Sequence, residues 1–71
     1  MKRLEKVRKQ DGKNAVMDLQ VSAVSDLPAL GDTLFNLIVS AGSIAQVVQT
    51  GKFYTLDETG TWYDGDGNAA G

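Results

Sequence analysis

The sequence predicts a small, mainly all-β domain, and three observations carry that expectation. A turn of one form recurs at Gln10-Asp11-Gly12, Gln49-Thr50-Gly51 and Glu58-Thr59-Gly60: a polar residue, then Asp or Thr, then Gly. The stretches flanking these turns read as strands, with side chains alternating between two faces. The chain has 71 residues, a single proline and 42% hydrophobic residues. That is one domain at most, too apolar for a disordered chain and marginal on its own.

Residues 1–24 read as a basic hairpin or arm. Residues 3–9 pair with 13–19 around Asp11-Gly12, which sets Lys9 opposite Lys13 at a small cost and marks an edge strand. Ala15, Met17, Leu19, Val21 and Ala23 alternate with neighbours of which only Val16 is apolar. The first strand offers only Leu4 and Val7. Their spacing of three also fits a short helix over 2–9, which stands as the alternative.

Residues 25–64 read as a small β-domain. Leu27-Pro28 and Gly31 mark a break before it. Thr33–Ser40 (TLFNLIVS) fits both helical and strand spacing, and its β-branched residues favour strand. A three-stranded antiparallel meander follows at 43–49, 52–57 and 61–64. Three-residue loops with glycine in the left-handed position suit its turns, because a two-residue loop forces Thr50 and Thr59 to positive φ. That register sets Val47 opposite Phe53, Gln46 opposite Tyr54 and Leu56 opposite Trp62. One face then carries Ile44, Val48, Tyr54, Leu56 and Trp62, and the other Ala45, Val47, Phe53 and Tyr63. Both are apolar, so each needs cover. Residues 65–71 read as a flexible tail.

Charge is segregated. Residues 1–13 hold six basic residues (Lys2, Arg3, Lys6, Arg8, Lys9 and Lys13) against two acidic ones, a net +4. The remainder holds Lys52 against seven acidic residues, a net −6. A basic head on an acidic body suits nucleic acid, an acidic protein surface or the body of a neighbouring copy, and a solvated charged strand is the plainer reading. No apolar run reaches the roughly 20 residues of a membrane span, so no membrane partner is expected.

The chain has no histidine and no cysteine. That removes the common zinc sites, the Ser-His and Cys-His nucleophile pairs and the usual neutral-pH proton shuttle. Asp64, Asp66 and Asn68 alternate like the start of a calcium loop, but Ala69 stands where glycine is required and no closing glutamate follows. Asp57 and Glu58 sit at a hairpin tip, where turn chemistry accounts for them. No enzyme, metal or cofactor is expected. Phe53, Tyr54, Trp62 and Tyr63 on adjacent strands invite comparison with single-strand nucleic-acid platforms. The acidic residues around them repel phosphate, so nucleic acid is disfavoured and core packing or a protein interface is the expected role.

The stretch from Ala41 to Tyr63 (AGSIAQVVQTGKFYTLDETGTWY), with Leu27-Pro28-Ala29 ahead of it, resembles small virion structural proteins of tailed bacteriophages and prophages of Gram-positive bacteria. The shared features are a Leu-Pro turn, a small-Gly-Ser strand start, a Gly-aromatic-Tyr hairpin and a Gly-x-Trp strand. They cover roughly residues 25–64. The resemblance implies a non-enzymatic virion part, made in the host cytoplasm. Three roles fit: a capsid decoration protein, a head-fibre base or a minor tail component. Without repeats or heptads, a decoration protein binding the shell as an oligomer is favoured. Its partners would be the major capsid protein or other virion proteins. The basic residues 2–13 would dock on the shell or a neighbour, and the aromatic face would pack between subunits. A small regulator that binds a host protein or nucleic acid is the alternative.

Overall fold

A computed structural model of the chain describes residues 1–70. It forms one mixed, seven-stranded sheet. The strands are β1 (Lys2–Asp11), β2 (Asn14–Val21), β3 (Thr33–Leu34), β4 (Leu37–Val39), β5 (Ile44–Val47), β6 (Lys52–Leu56) and β7 (Trp62–Asp64). A short 3-10 turn spans Val24–Asp26. The mainly β class expected from the sequence is what forms. Among the described residues no helix is long and apolar enough to cross a membrane.

β2 organises the sheet. β1 runs antiparallel along one of its edges. β4 and β5 lie end to end along the other, both parallel to β2. Residues 2–21 pair as an antiparallel hairpin, β1–β2, with no helix over 2–9, and its second strand lies inside the sheet. β5, β6 and β7 then follow as an antiparallel meander.

Ser43 fills the seam between β4 and β5. The Met17 N–H donates to its hydroxyl oxygen at 3.1 Å, and that hydroxyl donates to the Ser40 carbonyl at 2.7 Å. Ser43 is fully buried, so its side chain satisfies a backbone donor that the interrupted strand leaves without a ladder partner.

The core lies on one face. Ala15, Met17, Leu19 and Val21 of β2 pack with Val39, Ala45, Val47, Tyr54, Leu56 and Trp62. Leu4, Val7, Val24 and Leu27 close its border, and Pro28 is buried above it. The Trp62 indole N–H donates to the Pro28 carbonyl at 2.7 Å. The segment between β2 and β3 is thus tied over the core at its far side.

Three expectations about turns meet three outcomes. Glu58-Thr59-Gly60 is the three-residue loop expected, with Gly60 at φ +88 and Leu56 opposite Trp62. The first hairpin instead closes through Gly12-Lys13 alone, with Asp11 opposite Asn14 and Gly12 at φ +61. Glycine first, followed by a residue at negative φ, is the backbone pattern of a type II′ turn, whose twist matches the flanking strands. Lys9 consequently faces Val16, not Lys13. The loop between β5 and β6 holds four residues, Val48 to Gly51, with the Thr50 and Gly51 N–H groups both donating to Val47.

That extra residue shifts the β5–β6 register by one. Val47 faces Lys52, Gln46 faces Phe53 and Ala45 faces Tyr54. The expected face sets are corrected accordingly. Ala45 and Val47 join Tyr54, Leu56 and Trp62 in the core, while Ile44 and Val48 move to the side of Phe53 and Tyr63. Only one face of the sheet is fully apolar.

TLFNLIVS is a strand pair, not one strand. β3 and β4 meet at a tight turn in which Phe35 (φ +53) and Asn36 (φ +63) both take left-handed backbone. Residues 65–70 stay largely exposed as expected, but they are tied back rather than loose. Asp64 and Asn68 share a backbone bond, Ala70 donates to the Trp62 carbonyl at 2.7 Å, and Tyr63 bridges Ala69.

Candidate functional site

The face opposite the core is the candidate site. Paired residues project to the same side of a sheet, so the registers order its side chains into cross-strand rows. One row runs Arg3, Gln20, Gln46, Phe53 across β1, β2, β5 and β6. The next runs Lys6, Asp18, Ile44, Thr55, Tyr63 and reaches β7. A third begins Lys9, Val16. Lysine and arginine border the face on the β1 side, and aromatic rings occupy the β6–β7 side.

The middle is half-buried and polar to apolar. Gln20 donates from Nε2 to Gln46 Oε1 at 3.1 Å, a side-chain bond between neighbouring strands. Ile44 lies beside them. Phe53 is 59% exposed and Tyr63 37%. They sit on adjacent strands, displaced diagonally, because Tyr63 pairs with Thr55, two residues from Phe53.

Bulges in β1 set what it presents. The register shifts between Leu4 and Lys6 and again between Val7 and Lys9. Each shift holds one extra residue, Glu5 and Arg8. The first lets Leu4 and Val7 both face the core, opposite Leu19 and Met17, although they are three apart. A regular strand would send one of them outward. Arg8 then donates from Nε to Asp18 Oδ1 at 2.6 Å and from its terminal nitrogen to the Gly42 carbonyl. It is a clamp between β1, β2 and the β4–β5 turn, not a free docking cation.

The ten residues expected to interact therefore separate. Lys2, Arg3, Lys6, Lys9 and Lys13 are exposed on or beside β1. Arg3 contacts Glu5 at 3.5 Å. Arg8 is engaged internally. Tyr54 and Trp62 are buried in the core at 6% exposure each and are removed from any interface. Phe53 and Tyr63 remain on the outer face. Gln20, Gln46 and Ile44 were not singled out in advance. The polar phase of β2 is legible, but the expected β5–β6 register sets Ile44 and Gln46 on the face of Tyr54, Leu56 and Trp62, whereas the observed one-residue shift puts both beside Phe53 and Tyr63.

The acidic groups serve turns. The Asp57 carboxylate accepts from the Thr59 hydroxyl at 2.7 Å, the Thr59 N–H at 3.0 Å and the Thr61 N–H at 2.9 Å. These bonds, the Thr59 hydroxyl first, hold its pKa below the ordinary value. Asp64 accepts from the N–H groups of Asn68 and Asp66 at 3.0 and 2.9 Å, which likewise lowers its pKa, with Lys52 helping at 3.9 Å. Carboxylates held ionised this way are poor general acids. Among the described residues no cluster of three or more metal-ligating side chains occurs. Two open depressions, of about 530 and 320 Å³, flank the β6–β7 hairpin; the larger is lined by Ala41, Gly42, Leu56, Asp57, Glu58 and Thr59. In the larger, the Thr59 hydroxyl is bound to the Asp57 carboxylate, whose lowered pKa makes it a weak base for an alcohol.

The outer face thus carries positive charge on one border and exposed aromatic rings on the other. Comparison with family profiles, with curated proteins and with solved structures finds no match to the chain.

Proposed function

We propose that this chain is a non-enzymatic structural protein of a bacteriophage virion, a capsid decoration protein whose outer sheet face is its assembly surface. The observation that carries the assembly role is the one-sided sheet. Its inner face buries the whole core. Its outer face leaves Phe53 and Tyr63 in solvent, with Arg3, Lys6 and Lys9 along the opposite border. An exposed aromatic patch rimmed by polar groups marks an interaction site. A 71-residue domain also gains stability by mass action when it assembles. The virion address rests on the resemblance of residues 25–64. The basic strand suits an acidic shell.

Mass spectrometry of purified particles, with copy number, tests the address. Hundreds of copies per particle is the expected result. A handful would place the chain at a vertex, head-fibre base or tail. Complete absence from particles would overturn the virion reading and leave a free regulator, to be pursued by pull-down.

A further inference from the structure

The outer face is electrically lopsided, and that selects an occupant. Its β1 border carries Arg3, Lys6 and Lys9. Its far border meets the acidic β6–β7 hairpin and the turn after it, where Glu58 and Asp66 are exposed. We infer that the face is covered by a second copy of this chain, related by a two-fold axis lying parallel to the strands above β5. This inference rests on reading the face as an assembly surface, and not on the virion address.

Symmetry and charge fix the arrangement together. A two-fold along the strand direction lays β1 of each copy over β7 of the other while preserving the rows. Lys6 then meets the ring of Tyr63 in the second copy, a cation–π contact. Arg3 approaches the Asp66 turn, and Lys9 approaches the Glu58 tip. Ile44 meets its own counterpart at the axis. Each contact occurs twice, as an isologous interface requires. A two-fold across the strands would instead stack β1 on β1, setting cation against cation. The molecule measures 32 × 24 × 17 Å. Its broad face is thus of the order of the ~800 Å² per partner that stable interfaces bury.

The test is sedimentation of the purified chain at low and high salt, with a charge swap. The wild type is expected to run at twice its 7.6 kDa mass and to shift toward monomer as salt rises. Arg3→Glu/Lys9→Glu and Glu58→Lys/Asp66→Lys should each dimerise about tenfold or more weakly alone. Mixed, they should recover dimer, since each reversed border then finds its complement. All of these positions are exposed, and circular dichroism checks that both variants fold. A monomeric wild type, or variants that dimerise unchanged, would overturn the two-fold face. Abundant copies on particles together with a monomeric pure chain would keep the virion reading and hand the face to the shell.

Discussion

The buried indole of Trp62 donates to the carbonyl of Pro28, 34 residues away in sequence. One bond joins the last strand to the segment that crosses from β2 to β3. Trp62→Phe keeps most of the packing and removes the donor. The Pro28 carbonyl is then left buried without this partner, and such a loss costs roughly 1–3 kcal/mol. Urea unfolding followed by circular dichroism is the measurement, since the chain's single tryptophan is removed. A loss under about 0.5 kcal/mol would mean that water or another donor replaces the indole.

Ser43 offers a cleaner case, because its hydroxyl is small and its site is closed. Ser43→Ala strands the Met17 N–H in the middle of the sheet, where no solvent reaches. The expected cost is again about 1–3 kcal/mol, from a single oxygen atom. Amide exchange supplies an independent reading. The Met17 N–H should exchange much faster in the variant, while those of Leu19 and Val21 change less. Unchanged protection at Met17 would show that the seam closes without the hydroxyl.

The β5–β6 register shows where the sequence was legible and where it was not. Strand existence and the alternation within β2, β6 and β7 were readable, because period-two patterning reports the face directly. Loop length was not. Gln49-Thr50-Gly51 has the same form as Glu58-Thr59-Gly60, yet the first closes as four residues and the second as three. Asp57 makes the difference. Its carboxylate gathers Thr59 and Thr61 into the short loop, and Val48, at the equivalent place, carries no acceptor. The Leu4–Val7 spacing was ambiguous for a related reason. Three residues fit a helix turn or a strand with one bulge, and only the partner strand decides. The pairing with Met17 and Leu19 is long-range information that β1 does not contain.

Phe35 takes left-handed backbone at φ +53 while 48% exposed. An aromatic residue in that region is strained by roughly 1–2 kcal/mol, and asparagine tolerates it better. Phe35→Asn should therefore raise stability by about 0.5–1 kcal/mol, provided the half-exposed ring contributes little packing. Thermal unfolding checks the sign. A destabilised variant would show that the ring packs on the β3–β4 hairpin strongly enough to outweigh its backbone strain.

Asp57 and Asp64 predict the acid limb of the stability curve. Hydrogen bonds from Thr59 and Thr61 on one, and from Asn68 and Asp66 on the other, hold both folded-state pKa values below the ordinary 3.8. A group whose pKa falls on folding stabilises the folded state fully above its unfolded value. That contribution is lost as pH falls through the folded value. The contribution of these two groups should thus be full and independent of pH near neutrality and should decline below about pH 4, as protons compete with the turn N–H groups. Asp57→Asn and Asp64→Asn each keep an oxygen acceptor but cannot titrate. Each should be less stable than wild type at pH 7, with the gap narrowing toward pH 2. The two turns share no hydrogen bond, so the double variant should combine both effects nearly additively. Melting curves from pH 7 to 2 decide it. A gap that stays constant across that range would mean that the carboxylate charge contributes nothing, and that hydrogen-bond geometry alone holds the turns.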